Sequence, residues 1–143
     1  MHRLHFLRFA LLAALPGWFG STGGAQGPPP DDEPRYDIKS VVDLEGTVGE
    51  VTEVKPPNRL SGVHLRLRVE GEEFDVYLGP SGYVLEFDST FKKGSRVQVI
   101  GSKVKFGTTT IVLARELRNG GTTLYLRERS GRPYWDSKGR RVS

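Results

Sequence analysis

The 143-residue chain contains no cysteine. This excludes disulfides, thiolate–zinc sites and iron–sulfur clusters, so a folded domain must be held by its apolar core alone. Histidine is scarce as well: His2 and His5 lie at the extreme N-terminus, which leaves His64 as the one imidazole of the body. A transition-metal centre normally gathers several His, Cys or carboxylate ligands, so the sequence calls for no metal and no cofactor. Long hydrophobic runs are missing too. The run FALLAAL at 9–15 is far short of the ~20 apolar residues that cross a bilayer. The glycines of GPSG at 79–82 lack the spacing and the lysine of a phosphate loop.

What the N-terminus does have is the pattern of an export signal. Arg3 and Arg8 make a positive start, the apolar run follows, and Gly23, Gly24 and Ala25 supply small residues before Gln26. The pattern predicts a signal peptide over 1–25, cleavage near Ala25, and a periplasmic or secreted mature chain without a transmembrane segment. Residues 26–40 begin QGPPPDDEP and read as a Pro-rich acidic linker with little to bury. The net charge of +4 is uneven: residues 127–143 hold six basic and two acidic side chains. The basic balance therefore belongs to a C-terminal tail and not to the body, which weakens an inference to nucleic acid. No internal repeat is evident.

From Val41 the pattern is that of β-strands. In VVDLEGTV, Val42, Leu44 and Val48 share a face, and the parity changes by Val51, after Gly49. One extra residue at a glycine is a β-bulge, which bends a strand. KPPNRLSG at 55–62 is a loop. VHLRLRVEGEEFDVYLG then alternates, with Val63, Leu65, Leu67 and Val69 on one face and His64, Arg66 and Arg68 on the other. A two-residue turn at Gly71 and Glu72 would pair Val69 with Phe74, Leu67 with Val76, Leu65 with Leu78, Arg68 with Asp75 and Arg66 with Tyr77. The segment 79–94 breaks the alternation and suits a short helix with Ser81 as cap. Two more strands follow, the first kinked at Gly101, and TTLYLR makes a short last one. The order predicts an all-β domain over 41–126 with one short helix. Its architecture is a small OB-fold-like five-stranded Greek-key barrel plus an extra C-terminal strand. An immunoglobulin-like sandwich would need about seven strands.

Three segments carry a family resemblance: LEGTVGEV at 44–51, the pairing strands up to VYLGP, and FKKGSRVQVIGSKVKFGTTTIVLARELRNGG at 91–121. On these the body resembles bacterial exported, periplasmic OB-fold proteins of uncharacterised function. The closing LRERSGRPYW resembles a C-terminal block of secreted bacterial proteins. These motifs are turn glycines and core valines, so the resemblance implies a fold and no catalytic residue.

Two surfaces are candidates for binding. On an OB-type barrel, ligands meet the outer face of strands two and three between flanking loops. Here that surface would carry Lys55, Arg59, Arg66, Arg68, Tyr77, Lys105 and Phe106, a mixture of cations and aromatics suited to anions. In the same reading Arg68 pairs with Asp75, Arg66 packs over Tyr77, and His64 is exposed to solvent. The second surface is the basic aromatic tail, 127–143, where Arg127, Arg129, Arg132, Tyr134 and Trp135 have the composition of interface hot spots. Tyr134 and Trp135 could instead fold back and plug the barrel, with 138–141 frayed. The expected function is a non-enzymatic exported binding or accessory module recognising a protein or other anionic partner. One alternative is single-stranded oligonucleotide binding through Tyr77 and Phe106. The other is a hydrolase in which His64 would serve Ser61 with Asp75 behind it.

Overall fold

The computed structural model describes residues 34–58 and 60–142. The signal-peptide reading, most of the linker and Arg59 lie outside the described residues. The remainder is mostly β, a closed five-stranded mixed barrel with one extra strand and one short helix. Its strands are β1 (Val41–Val54), β2 (Gly62–Val69), β3 (Glu72–Gly79), β4 (Arg96–Phe106), β5 (Thr109–Asn119) and β6 (Thr122–Tyr125). Hydrogen bonding runs in the order β3-β2-β1-β4-β5-β6, and β3 also pairs with β5. That last contact closes the barrel. It is parallel and joins only Asp75 to Ile111, Val76 to Val112 and Tyr77 to Leu113.

β1 serves two neighbours because it bends. Its first half pairs with β4 and its second half with β2, and the register shifts between Val48 and Glu50. The extra residue is Gly49, where the hydrophobic parity changes in the sequence. A second shift falls between Ile100 and Gly101, where a Cβ would run into the Leu113 carbonyl oxygen.

The β2–β3 hairpin keeps the expected faces but not the expected register. Leu67 stands opposite Phe74, Leu65 opposite Val76, Arg66 opposite Asp75 and Arg68 opposite Glu73. The turn residues are Glu70 and Gly71, at φ of 50° and 86°. Positive φ at both centres is the type I′ form, whose twist matches the strands, and it displaces a turn at Gly71 and Glu72. A two-residue slip leaves every side chain on its original face, so the core survives the correction. The same slip brings His64 opposite Tyr77, the partner expected for Arg66, and a third shift, between Val63 and His64, sets Val63 opposite Gly79.

The barrel interior holds Val48, Val63, Leu65, Leu67, Val76, Val97, Val99, Val112, Ala114 and Leu117. The short helix α1 (Ser81–Val84) and a 3-10 segment (Leu85–Thr90) cover one end with Tyr83, Val84 and Phe87. Pro80, not Ser81, is the N-cap, and its carbonyl accepts from the Tyr83 and Val84 amides.

A second apolar cluster lies outside the barrel over the β3–β5 seam. Tyr77, Ile111 and Leu113 point outward there and are covered by Leu60 and Tyr36, with Val104 and Phe106 at the margin. The covering segment begins before the expected domain boundary. The buried Ser102 hydroxyl accepts the Asp37 amide proton (3.0 Å) and sits 2.8 Å from the Ser40 hydroxyl. This fastens a 3-10 turn, Ile38–Ser40, against β4.

The loop bearing Leu60 is tied down by His64. Its Nε2 lies 2.8 Å from the Leu60 carbonyl and its Nδ1 lies 3.0 Å from Asp75 Oδ1. Both partners are acceptors, so the geometry suits a ring protonated on both nitrogens. Burial alone would lower the His64 pKa; the bonds to Asp75 and to the Leu60 carbonyl outweigh it and raise the pKa above the ordinary value. His64 is therefore half-buried and engaged, contrary to an exposed position.

The tail contains a repeat. Glu128, Gly131 and Arg132 recur eight residues later as Asp136, Gly139 and Arg140. In the first unit the Gly131 amide donates to the Glu128 carbonyl (2.8 Å) and the Glu128 amide to the Arg132 carbonyl (2.9 Å). In the second the Gly139 amide donates to the Asp136 carbonyl (2.9 Å) and the Asp136 amide to the Arg140 carbonyl (2.8 Å). Each acid also pairs with the arginine four residues on, at 2.7 and 2.9 Å. The Tyr134 amide reaches back to the Leu126 carbonyl and the Val142 amide to the Tyr134 carbonyl, so the tail is a meander of two tight hairpins. Residues 138–141 form the second of these and are not frayed. Leu126 is fully buried, and Tyr134 and Trp135 pack against the barrel core.

Two outcomes follow. Trp135→Ala should lower stability by about 3 kcal/mol, a fall in Tm on the order of 15 °C, measured by thermal unfolding; an unchanged Tm would remove the tail from the core. Because the His64 pKa is raised on folding, its contribution is complete below the unfolded value and is lost as pH rises through the folded one. The urea midpoint of the wild type should fall relative to that of His64→Gln as pH rises past the ordinary imidazole value of about 6.5, and parallel profiles would contradict the clamp.

Candidate functional site

The outer face of β2 and β3 is largely engaged within the molecule. Glu73 lies 3.4 Å from both the Arg66 and the Arg68 guanidinium, and Asp75 holds His64. Arg68 therefore pairs with Glu73 and not with Asp75. Lys55 pairs with Glu53 at 3.4 Å. Tyr77 is 7% exposed, beneath Leu60 and Tyr36, and its hydroxyl donates to the Ser61 carbonyl at 3.0 Å. Phe106 is half-buried at the margin of the same cluster, while Lys105 is exposed at the end of β4. The two aromatics chosen for stacking are thus committed to the cover of the seam. Among the described residues no group of three or more His, Asp and Glu gathers as metal ligands.

The tail residues separate into two roles. The Arg127 guanidinium lies between rings, 5.9 Å from Tyr36 and 5.2 Å from Trp135, and donates to the Gly131 carbonyl at 2.9 Å. Trp135 packs so closely that a Cβ on Gly79 would meet its ring at 2.8 Å. These two are structural. Arg129 is exposed at the tip of the first hairpin, and Arg132 is held by Glu128. The hydrogen bond and charge of Arg132 hold the Glu128 carboxyl below its usual range, and the Arg140 amide and side chain do the same for Asp136.

Tyr134 leads to a groove of about 440 Å³ that no sequence argument singled out. It lies among β6, the 3-10 segment and the second tail hairpin, and Tyr83, Phe87, Tyr125, Tyr134, Arg141 and Thr123 line it. Tyr125 is 57% exposed, and Val142 beside it is among the few other exposed large apolar residues. The Tyr83 hydroxyl donates to the Tyr125 carbonyl at 3.3 Å, and burial pushes its phenol pKa up. The Arg141 guanidinium lies 5.3 Å from the Tyr83 ring and 5.8 Å from the Phe87 ring, with Glu86 at 3.6 Å. The signal for Tyr125 was present in TTLYLR: Leu124 and Leu126 point inward, so the tyrosine between them must point out. The remaining walls come from segments far apart in sequence.

Across known proteins, no curated protein and no solved structure matches the chain. A family model, the MamS/MamX magnetosome protein family, matches residues 40–124. The match covers all of the barrel and stops inside β6, so Tyr125, Tyr134 and Arg141 add to the groove from outside it. Spanning more than half of the sequence and every strand of the closed barrel, this match shows that the chain belongs to the MamS/MamX magnetosome protein family.

Proposed function

We propose that the chain is an exported, non-enzymatic accessory module of OB type that binds a protein partner where its tail meets β6. The observation that carries this reading is the groove itself. It combines exposed Tyr125, partly covered Tyr134 and a cation held over two rings, which is the composition of an interface centre. The family supports an accessory role. The strand order β1-β2-β3-β5-β4 supports the OB assignment, and the pattern of residues 1–25 supports export to the periplasm or beyond.

The other two readings lose ground on specific contacts. Both nitrogens of His64 are engaged, which leaves no free base for Ser61. Base stacking on Tyr77 would first require Leu60 and Tyr36 to leave. The β2–β3 face is therefore secondary to the groove in this proposal.

The test is chemical crosslinking of the full chain in extract from its own cells. Tyr125→Ala and Arg141→Glu should each reduce a specific crosslinked product at least about fivefold, as expected for hot-spot residues, while Arg66→Ala leaves it unchanged. A product lost with Arg66→Ala and kept by both groove variants would move the site to the barrel face.

A further inference from the structure

The turn that roofs the β3–β5 seam is held in a backbone conformation it would not adopt by itself. Leu60 has a φ of 55°. This left-handed conformation is unfavourable for a bulky side chain and persists only where the surroundings impose it. Two hydrogen bonds impose it here. His64 Nε2 lies 2.8 Å from the Leu60 carbonyl oxygen, and the Tyr77 hydroxyl donates to the Ser61 carbonyl at 3.0 Å. Burial of the Leu60 side chain against Tyr77, Ile111 and Leu113 adds to them. Beneath the turn, Ile111 and Leu113 are 2% and 1% exposed, although both point away from the barrel interior.

The His64 tie depends on a proton. Nε2 faces the Leu60 carbonyl oxygen and Nδ1 faces Asp75 Oδ1 at 3.0 Å, so keeping both bonds takes a ring protonated on both nitrogens. A neutral ring has one N–H. The Asp75 carboxylate keeps it on Nδ1, and Nε2 then turns a lone pair toward the Leu60 carbonyl. The groups around the ring come from three elements. From β3, Asp75 bonds to it and the Tyr77 ring lies 5.1 Å away between centroids. On β1, Thr52 stands opposite His64, Glu50 stands opposite Arg66, and Glu53 pairs with Lys55 at the start of the loop. On β2 itself, Arg66 pairs with Glu73. Arg59 in the loop lies outside the described residues. Among the described residues, Asp75 is the one charged group bonded to the ring. Burial works against the charged ring; the bonds to Asp75 and to the Leu60 carbonyl outweigh it and raise the pKa.

We propose that His64 is a proton-operated latch: a charged ring pins the Leu60 turn over Tyr77, Ile111 and Leu113, and a neutral ring releases the turn and uncovers them. The event is local, because the strand pairs beneath the turn do not run through it. Its sign follows from the ring holding its proton more tightly when the turn is down. The turn is pinned below the ordinary imidazole value of about 6.5. The pinning weakens as pH rises past that value and is lost once pH passes the raised value of the closed form. Acid thus hides an apolar outer face of the barrel, and alkali makes it accessible. None of these residues lines the groove beside β6, so the latch stands or falls separately from the binding end.

The lack of cysteine makes the experiment direct, because a thiol can be placed under the turn with no other thiol in the chain. The full chain with Ile111→Cys, beneath the turn, is compared with the full chain with Val112→Cys, in the barrel core. Each is labelled with a thiol reagent across a pH series, and each rate is divided by that of the same chain unfolded in urea at the same pH, which cancels the ionisation of the thiol. The Ile111→Cys ratio should exceed the Val112→Cys ratio at least about tenfold, because local opening is easier than unfolding. It should also rise at least about fivefold as pH passes through the imidazole range, the scale of one lost hydrogen bond. Adding His64→Gln should remove the rise, and adding Asp75→Asn should move it to lower pH. Leu113→Cys, on the same covered face, serves as a second reporter should Ile111→Cys fail to fold. A ratio that does not change with pH, or an equal rise with His64→Gln in place, overturns the latch. Equal ratios at positions 111 and 112 overturn it as well, since they mean that the whole barrel opens.

Discussion

The barrel is closed by three parallel residue pairs between β3 and β5, and much of the remaining structure protects them. A parallel ladder is slightly less stable per residue than an antiparallel one and is normally covered on both faces. Here the inner face is the barrel core. The outer face is the cluster of Tyr77, Ile111 and Leu113, roofed by Leu60 and Tyr36. Each roof piece has its own fastening: the His64 clamp for the loop at Leu60, and the Ser102 hydroxyl for the segment at Tyr36. The surface that an OB-type barrel would offer to a ligand is in this chain spent on covering its seam.

The same demand explains the tail. Arg127 connects the roof to the plug, with Tyr36 on one side and Trp135 on the other. Gly131 sits so close to Tyr36 that a Cβ there would overlap the ring. The two hairpins obtain their local stability from a repeated acid, glycine and arginine turn, which needs no core of its own. They can therefore present Trp135 inward and Tyr134 and Arg141 toward the groove at once. A chain without disulfides has covered its barrel end with paired turns in place of a covalent link. The groove lies where this cover meets β6, with Tyr125, Tyr134, Arg141 and Val142 contributed from beyond the residues shared with the family.

Much of the fold was legible in the alternation of Val63 to Val69, in the parity change at Gly49 and in the order of strands around one short helix. These features are local, and burial of one face enforces them. The β2–β3 register was not legible, because a slip of two residues exchanges partners without changing faces; only the twist preference of the turn at Glu70 and Gly71 selects between them. The tail repeat was present in the letters but short enough to pass as composition. Of the site residues, Tyr134 was visible from composition, whereas Tyr83, Phe87 and Arg141 were not.

The sequence by itself determined the fold class, the inward residues, the bends of β1 and β4, and the absence of thiol chemistry, because each depends on neighbours within a few positions. Tertiary structure alone decided which aromatics are spent and which remain available. The alternation turns both Tyr77 and Tyr125 outward, yet Tyr77 is covered and Tyr125 is left at the surface, and nothing in their local sequence distinguishes covered from open. The difference arises from which segments fold over them: residues 34–40 and the Leu60 loop over Tyr77, the second hairpin over the end of the barrel, and no described segment over the open side of Tyr125.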